Sequence, residues 1–316
     1  MCNCNSYLGI DTSNYTTSTA VYVGGNIVQS KKLLPVKEGQ LGLRQSDAVF
    51  HHTIQLPDML EDLSQLVPLS DIKAVGASFT PRNVNGSYMP CFTVGSGFAR
   101  SLSAVMEVPL YSFSHQQGHI AAAIYSSGQF NLLQQKHLAF HVSGGTTEAL
   151  IVTPCKDNII SANLVGKTLD LNVGQLVDRV GVMLGLQFPC GKQLEQLALN
   201  FFGAVKCKPT VKGNNCCMSG VQNICEKMYS NNISAEEISA YVLKYIEETL
   251  YIMTKNIFKE YGKMPVLFSG GVMSNSIIRN NLTNRLGAYF AQPEFSADNA
   301  AGIAVLTAIK NKEDIK

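Results

Sequence analysis

Residues 138–152 read LAFHVSGGTTEALIV, and this stretch decides the fold. Residues 138–142 form an apolar run that predicts a strand, 143–147 a polar turn with two glycines, and 148–152 a second strand. The same arrangement opens the chain, where YLGID at 7–11 precedes a polar turn over 12–17 and a second strand over 19–22. The copies lie about 130 residues apart. We interpret them as an internal repeat of two lobes, each beginning with a hairpin.

A third glycine turn completes the pattern. The apolar run VLF at 266–268 is followed by SGGV at 269–272 and by a predicted helix from about Ser274 to Leu286. Glycines at such a junction let backbone N–H groups approach a ligand closely. Three such turns in this order predict an α/β protein of the actin-like ATPase/sugar-kinase (ASKHA) superfold, with duplicated mixed sheets and a central cleft that holds a nucleotide. We predict a first lobe of residues 1–113 plus about 296–316, and a second part, 114–295, that begins with a helix.

Composition narrows the class of protein. The 316 residues carry 25 Lys and Arg against 23 Asp and Glu, with no basic cluster, so charge alone gives no footprint for strong nucleic-acid binding. A nucleic-acid substrate recruited with helper subunits stays open. The chain has no apolar run of the roughly 20 residues that a membrane span needs. Nine scattered cysteines, an odd number, indicate reduced thiols. We therefore predict a cytoplasmic protein that does not associate with membranes.

Other segments predict helices and a loop. Apolar residues at helical spacing predict a helix over Pro57–Leu66, and small apolar residues predict another over 298–308. Ser234 with Glu237 forms a capping box and predicts the start of a long helix that ends near residue 258. The polar segment 206–215, with a proline and a glycine, predicts a mobile loop.

Two histidines form a candidate metal pair. His115 and His119 lie four residues apart at the start of a good helix-forming segment, so they share one helix face. Neutral imidazoles at this spacing can bind one metal ion together, although two solvated or capping histidines have the same spacing. Candidates for a further ligand are Asp298 and His141. His141 and Ser143 lie on the same face of the strand, so His141 would face the cleft if Ser143 does.

The ordered motifs resemble one known family. It is the TsaD/Kae/Qri family of tRNA threonylcarbamoyladenosine transferases, once mislabelled as O-sialoglycoprotein endopeptidases. The matching stretches are LGIDTS (8–13) to LGIETS, HQQGH (115–119) to HxxGH, VSGG (142–145) to VSGG, DLNVGQLVD (170–178) to DxxxGExxD, GL and PCG (185–191) to GLxxPGG, SG (219–220) to FSG, SGGVMSN (269–275) to AGGVxxN and PEFSADN (293–299) to PxxxxDN.

The resemblance implies an activity and its ligands. Such proteins move a threonylcarbamoyl group from threonylcarbamoyl-AMP to N6 of an adenosine beside the tRNA anticodon. It implies one divalent metal, iron or zinc, an adenine nucleotide (threonylcarbamoyl-AMP, AMP or ATP), tRNA as acceptor and helper subunits of the threonylcarbamoylation machinery as partners. The predicted metal ligands are His115, His119, Asp298 and, from the strand argument, His141. The predicted nucleotide-binding residues are Thr12, Ser13, Val142, Ser143, Gly144, Gly145, Thr146, Asp178, Gly191, Gly271 and Asn275.

The chain also departs from the family's pattern. Residues 14–17 read NYTT where the family has the acidic CDET, and residues 80–85 replace a GPGL stretch. Thr146, Gln175 and Cys190 replace a His or Asn, a glutamate and a glycine of the family motifs. These changes indicate a divergent paralogue. Two alternatives to the tRNA transferase stay open: a carbamoyl-type transferase with another acceptor, and a catalytically silent nucleotide- and metal-binding regulatory paralogue. A kinase or ATPase gives the histidine pair no role, and a peptidase has no supporting HExxH motif.

Overall fold

The computed structural model describes residues 5–13, 15–35, 43–296 and 300–313. The chain divides into two compact units. Unit 1 comprises Met1–Gln135, Thr153–Ala162 and Glu294–Lys316, and unit 2 comprises Lys136–Val152 and Asn163–Pro293. Each unit is built around its own five-stranded sheet.

In both halves of the chain, three consecutive strands come first and a helix follows them. The strands are β1 (Ser6–Asp11), β2 (Thr16–Val23), β3 (Asn26–Leu33), β4 (Ile72–Thr80), β5 (Leu110–Ser114), β6 (His137–Val142), β7 (Thr147–Cys155), β8 (Ile159–Lys167), β9 (Thr210–Lys212), β10 (Asn215–Cys217), β11 (Val266–Ser269) and β12 (Tyr289–Phe290). The helices are α1 (Gln45–Leu66), α2 (Phe92–Met106), α3 (His115–Ser127), α4 (Val173–Met183), α5 (Gly191–Leu199), α6 (Ser219–Ser230), α7 (Ala235–Tyr261), α8 (Ser276–Leu286) and α9 (Ala301–Lys310).

The sheet of unit 1 has the order β3-β2-β1-β4-β5. The first three strands are antiparallel neighbours, whereas β4 pairs parallel with β1 and β5 parallel with β4. Side chains alternate across β1, so Tyr7 faces a core formed with α3 and α9, and Leu8 faces a core formed with α1 and α2. All six residues of β1 are buried, as expected for a strand covered by helices on both faces.

The sheet of unit 2 repeats the topology of unit 1. Its order is β12-β11-β6-β7-β8, with β6 antiparallel to β7 and parallel to β11, and β11 parallel to β12. Counted in chain order, both sheets therefore read third, second, first, fourth, fifth. The predicted duplication of two mixed sheets, each opening with a hairpin, is confirmed.

The core of unit 2 forms between its sheet and helices α4 to α8. Phe268 of β11 stacks on Phe140 of β6 and on Phe290 of β12, with ring centroids 4.8 and 5.1 Å apart. The long helix α7 begins as predicted, because the Ser234 hydroxyl accepts a hydrogen bond from the backbone N–H of Glu237 at 3.2 Å. Twelve residues of α7 are buried, so it supplies much of this core.

Several predicted boundaries differ from the structure. The helix predicted to begin at Pro57 extends back to Gln45, and Pro57 lies inside it. The helix predicted from about Ser274 begins at Ser276, because Asn275 is extended and caps it, and a 3-10 turn over Gly271–Ser274 precedes it. The helix that we grouped with the second lobe, α3, lies in unit 1.

Small residues explain why α3 belongs to unit 1. A side chain at Gly302 of α9 would collide with the backbone of α3 at the Gly118 carbonyl and at the Ala122 N–H, 2.7 Å away. The two helix backbones therefore touch, and this contact joins α3 to α9, which itself packs on β1. The polar segment 206–215 also differs from the prediction of a loop, since it contains β9 and enters the hairpin to β10.

None of the helices that the structure describes has both the length and the apolar character to span a bilayer.

Candidate functional site

Three parallel strands of unit 1 end at the same edge of the sheet. Asp11 ends β1, Ser78 lies near the end of β4, and His115 follows β5 directly as the first residue of α3. The parallel registers align these ends, with Ile10 opposite Ala77 and Thr80 opposite Ser114. Carboxyl ends of parallel strands are where ligands bind in open α/β sheets. The topology therefore gathers an acid, a hydroxyl and an imidazole from three distant parts of the chain.

A capping box fixes the start of α3. The Ser114 hydroxyl accepts from the backbone N–H of Gln117 at 3.2 Å, and the Gln117 side chain accepts from the backbone N–H of Ser114 at 2.8 Å. This makes His115 the first residue of the helix and places His119 one turn later on the same face. The strand-to-helix junction therefore positions both imidazoles.

The two histidines and Asp11 form one connected group. His119 Nε2 lies 2.8 Å from His115 Nε2, and His115 Nδ1 lies 2.9 Å from Asp11 Oδ2. The Asp11 carboxylate also accepts from the backbone N–H of Ser13 at 2.9 Å and from the hydroxyl of Ser78. Asp11 is buried, whereas the His115 side chain keeps 19% of its surface exposed. The group is therefore anchored in the core on the carboxylate side, and its imidazoles lie nearer the surface.

Asp11 is an ionised, hydrogen-bond-accepting carboxylate in this arrangement. Burial by itself raises the pKa of a carboxyl group, but the His115 charge and hydrogen bonds from His115, Ser13 and Ser78 outweigh it and lower the pKa of Asp11. An ionised carboxylate can only accept hydrogen bonds, so His115 Nδ1 donates to it. In the neutral imidazole the lone pair then lies on Nε2, the nitrogen that faces His119.

Imidazole nitrogens such as these two are common ligands of divalent metals. His115 Nε2 and His119 Nε2, which lie 2.8 Å apart, would be the imidazole donors to such an ion. A carboxylate behind the distal nitrogen of a ligating histidine is the usual support of such a site. Within the described ranges, no group of three His, Cys, Asp or Glu residues is placed to hold a metal ion. Asp298, the third predicted ligand, lies outside the described residues.

The predicted phosphate loop of unit 2 is a compact turn between β6 and β7. Its backbone closes through the Ser143 N–H, which donates to the Thr146 carbonyl at 2.7 Å, and the Thr146 N–H donates to the Ser143 hydroxyl at 3.1 Å. Gly144 and Gly145 have open space where a side chain would lie. The backbone at these glycines is therefore accessible to a ligand.

The first turn of α4 packs directly against this loop. The Gly174 N–H donates to the Ser143 carbonyl at 3.1 Å, and a side chain at Gly174 would lie 2.5 Å from the Gly144 nitrogen. Thr147 contributes as well, because its hydroxyl accepts from the Val173 N–H at 3.0 Å. The positive end of the α4 dipole thus supports the loop.

The third glycine turn meets the same loop from the other side. Gly270, at a φ of 99°, lies so close to Val142 that any side chain would collide with the Val142 backbone. Ser269 donates to the Phe140 carbonyl at 3.0 Å, and its oxygen lies 3.2 Å from His141 Nδ1. Because the hydroxyl proton goes to the carbonyl, His141 Nδ1 donates to Ser269, which leaves the lone pair of a neutral His141 on Nε2.

The predicted nucleoside residues lie within or beside helices of unit 2. Asp178 of α4 accepts from the backbone N–H of Cys190 at 2.9 Å, directly before Gly191 begins α5. Asn275 caps α8, because its side-chain oxygen accepts from the Ile278 N–H at 3.0 Å. Asp178 also borders a cavity of about 440 Å³, whose other lining residues are Arg179, Val182, Met183 and Gln222. Gly271 follows the turn at Gly270 and has open space at its Cα.

Thr12 and Ser13, predicted to bind the nucleotide, differ from each other. The Thr12 hydroxyl donates to the Cys91 carbonyl at 2.9 Å and accepts from the Gly95 N–H at 3.0 Å, so it is engaged with α2. The Ser13 hydroxyl is buried and has no hydrogen-bond partner among the residues that the structure describes.

Sequence reasoning missed three residues that build these sites. It noted Asp11 only as the acid that ends a strand, and it gave no role to Ser78 or Gly174. The acid at the end of β1 was the one available signal, since its partners lie 67 and 104 residues away. Ser78 and Gly174 carry no recognisable pattern until the strands and helices are assembled.

Comparisons with known proteins give one consistent family. The family model described as "TsaD: tRNA N6-adenosine threonylcarbamoyltransferase" matches residues 25–305. A protein of that name from Sulfurihydrogenibium sp. (strain YO3AOP1) is 30% identical over 314 residues, covering 94% of this chain and 88% of the relative. One from Methanopyrus kandleri is 28% identical, covering 89% and 80%. A "probable bifunctional tRNA threonylcarbamoyladenosine biosynthesis protein" from Methanocaldococcus jannaschii is 25% identical, covering 96% of this chain and 55% of the relative.

Solved structures agree on the fold. Component A of (R)-2-hydroxyglutaryl-CoA dehydratase from Acidaminococcus fermentans superimposes with a TM-score of 0.58 at 16% identity, covering 98% of this chain and all of the other. The ROK hexokinase of Thermus thermophilus gives a TM-score of 0.51 at 13% identity, covering 97% and 99%. At these identities the similarity establishes the ASKHA fold alone.

Proposed function

The chain belongs to the TsaD family of tRNA N6-adenosine threonylcarbamoyltransferases, and from that premise we propose that it transfers a threonylcarbamoyl group from threonylcarbamoyl-AMP to N6 of an adenosine beside the tRNA anticodon. It is a transferase by family. The structural observation that supports the proposal is the pair of imidazole nitrogens 2.8 Å apart, supported by Asp11. Neither a sugar kinase nor a structural subunit of this fold needs such a pair.

The proposed metal site uses His115 and His119 of α3 with Asp298 and His141 as further ligands. The ion, iron or zinc, would polarise the acyl carbonyl of the donor when bound. Ser269 accepts a hydrogen bond from the Nδ1–H of His141, as Asp11 does from the Nδ1–H of His115. These arrangements favour Nε2 as the donor atom of both histidines.

The proposed nucleotide site uses the glycine turns of unit 2. Backbone N–H groups from Val142 to Thr146 would receive the phosphate, assisted by the dipole of α4. Gly271 and Gly191 leave open backbone for the nucleoside, and the Asp178 carboxylate would accept hydrogen bonds from ribose hydroxyls. Asn275 would contact the nucleoside from the start of α8.

Unit 1 would contribute to nucleotide binding chiefly through Ser13. Its buried hydroxyl lacks a hydrogen-bond partner in the described part of the chain, and a buried hydroxyl without a partner is costly. A ligand atom would satisfy it. The Thr12 hydroxyl is already engaged at both its proton and its oxygen, so we assign Thr12 a backbone contact only.

A silent regulatory paralogue is the second candidate. It is favoured by Gln175, which stands where the family motif has a glutamate and whose side chain accepts from the Asn172 N–H at 3.2 Å in a helix cap. A neutral amide cannot supply the negative charge of the family's carboxylate. A carbamoyl-type transferase with another acceptor is the third candidate, for the same reason.

The proposed acceptor is tRNA, and the proposed partners are helper subunits of the threonylcarbamoylation machinery in the cytoplasm. The names of the bifunctional relatives support the proposal of such partners, because those proteins join a further activity to the matched region on one chain.

A transfer assay tests the proposal. The purified chain is incubated with tRNA, threonylcarbamoyl-AMP, Zn²⁺ or Fe²⁺ and helper subunits, and the digested tRNA is analysed by mass spectrometry. We expect N6-threonylcarbamoyladenosine from the wild type and from His51→Ala, a matched histidine on α1. His119→Ala should lose roughly 100-fold or more, beyond the loss typical of supporting residues. Binding of nucleotide and metal without product would favour the regulatory paralogue instead.

A further inference from the structure

The hydrogen bonds that hold His115 in place extend beyond its ion pair with Asp11. Asp11 Oδ1 accepts from the Ser13 N–H at 2.9 Å, while Oδ2 accepts from both the Ser78 hydroxyl and His115 Nδ1, the latter at 2.9 Å. Asp11 and Ser78 have at most 1% of their surface exposed. Three hydrogen-bond donors therefore hold this carboxylate in a buried site.

This pattern leaves one proton arrangement for a neutral His115. All three neighbours of the carboxylate must donate, so the imidazole proton lies on Nδ1 and the lone pair on Nε2. Nε2 in turn lies 2.8 Å from the matching nitrogen of His119. The hydrogen bonds of Asp11 in the core of unit 1 therefore determine which His115 nitrogen carries the proton.

We propose that Asp11, with Ser78 as its anchor, is a positioning residue that fixes the His115 tautomer and presents Nε2 as a metal donor. The inference rests on the proposed function in one respect, that Nε2 receives a metal ion. Its tautomer component concerns the metal-free protein and stands independently.

Asp11→Asn is the most discriminating variant, because it keeps the shape of the side chain and replaces one hydrogen-bond-accepting oxygen with an NH2 donor. If the amide oxygen occupies the Oδ1 position, the amide N–H donates to His115 Nδ1 and moves the imidazole proton to Nε2. If the oxygen occupies the Oδ2 position, the amide N–H faces the Ser13 N–H, donor against donor. Since the backbone donor cannot rotate away, we expect the first orientation and a reversed tautomer.

The experiment measures the full-length protein in two ways. Zinc affinity is determined by competition with a chromophoric chelator, and the His115 tautomer of the metal-free protein is read from its ¹⁵N chemical shifts. We expect an Nδ1–H tautomer in the wild type, reversed in Asp11→Asn, with zinc affinity roughly 10- to 100-fold weaker. Ser78→Ala should weaken zinc binding roughly fivefold, the scale of one hydrogen bond.

Thr19→Val is the matched control. It removes a buried hydroxyl of β2, the strand paired with that of Asp11, and this hydroxyl donates to the Met59 carbonyl of α1 rather than to the His115 group. It should lower stability while leaving zinc affinity within about twofold of the wild type, within the error of a distant and independent site. A purely structural role for Asp11 would make Asp11→Asn behave like this control.

Two results would overturn the inference. One is an Nε2–H tautomer for His115 in the wild-type protein, which decides the question even if Asp11→Asn does not fold. The other is unchanged zinc affinity in Ser78→Ala and in folded Asp11→Asn. A wild type that binds no zinc but shows the Nδ1–H tautomer would contradict the metal assignment under the proposed function and uphold the positioning role of Asp11.

Discussion

Gly174 is the residue at which the α4 helix and the phosphate loop meet, and it makes the first prediction. A methyl group there would lie 2.5 Å from the Gly144 nitrogen and 2.7 Å from the Ser143 carbonyl carbon, both backbone atoms that cannot rotate away. Gly174→Ala should therefore shift the loop and lower the free energy of unfolding by about 1–3 kcal/mol, the usual cost of overpacking. Urea unfolding measures it.

Gly144→Ala is the control for that prediction. Its methyl group would enter open space, so its free energy of unfolding should stay near that of the wild type. If the loop binds phosphate, the same methyl group should weaken nucleotide binding. Equal stability of the two variants would contradict the packing that we describe between α4 and the loop.

Asp178 supports a second prediction at this scale, because its carboxylate has a structural partner as well as a proposed ligand. Asp178→Ala removes the acceptor of the Cys190 N–H and should destabilise the protein by about 1 kcal/mol, whereas Asp178→Asn can keep that hydrogen bond. Both should weaken adenine-nucleotide binding by about 1.5–3 kcal/mol, measured by calorimetry. Wild-type affinity in Asp178→Asn would exclude the proposed ribose contact.

Single residues also show what a sequence can and cannot predict. The four-residue spacing of His115 and His119 was sufficient to predict a shared helix face, because helix geometry is local. The hydrogen bonds that hold His115 were not predictable, since strand pairing across the sheet is what brings Asp11 to His115 and Ser78 to Asp11. Thr12 shows the opposite case, where a residue in a recognisable motif uses its hydroxyl to bind a helix of the fold.

At the scale of elements, α6 depends on an acid that lies outside it. Asp170 accepts from the Met218 N–H at 2.7 Å, from the Ser219 hydroxyl at 2.6 Å and from the Leu171 N–H at 2.6 Å. Burial raises the pKa of this carboxyl group, but these hydrogen bonds and that of the Ser219 N–H outweigh it and lower the pKa to about 2. The first acid of the DxxxGExxD-like motif is thus a helix cap.

This cap makes stability depend on pH in a defined direction. Because the folded-state pKa lies below the ordinary value of 3.8, the contribution is present above about pH 4 and is lost as pH falls towards 2. Asp170→Asn should lower the free energy of unfolding by about 1–2 kcal/mol at neutral pH, and the difference from the wild type should shrink below pH 4. Asp58→Asn, on the exposed face of α1, is the control. A difference that is constant from pH 7 to 2 would contradict the cap.

The two elements predicted least well are α1 and the β9–β10 hairpin. Both depend on polar contacts that are buried or that come from another helix. The first half of α1 was missed because its buried face includes polar residues: the Thr17 hydroxyl donates to Gln55 at 2.8 Å and lies 2.8 Å from His52 Nδ1. A hydrophobic pattern therefore began only near Pro57. The hairpin at 210–217 was missed because its contacts come from α7, where Tyr245 accepts from the Thr210 N–H at 2.8 Å.

At the scale of the whole molecule, the internal repeat was the most predictable feature. The same hairpin pattern occurs twice in the sequence, both sheets have the same strand order, and the first two strands of each are antiparallel. A repeated pattern is visible along the sequence itself, so it could be recognised without knowledge of any three-dimensional contact. The assignment of α3 to unit 1 could not be read, because α3 joins that unit through backbone contact with α9 at Gly302, near the other end of the sequence.

The central claim is that this divergent member of the family still modifies tRNA. The most direct test is complementation: the chain is expressed in a strain depleted of its own transferase, and N6-threonylcarbamoyladenosine in its tRNA is measured by mass spectrometry. The strain's own gene and His119→Ala serve as positive and negative controls. We predict that the wild-type chain restores the modified nucleoside and that His119→Ala does not. Soluble, folded wild-type protein with no modified nucleoside, while the strain's own gene restores it, would contradict the claim.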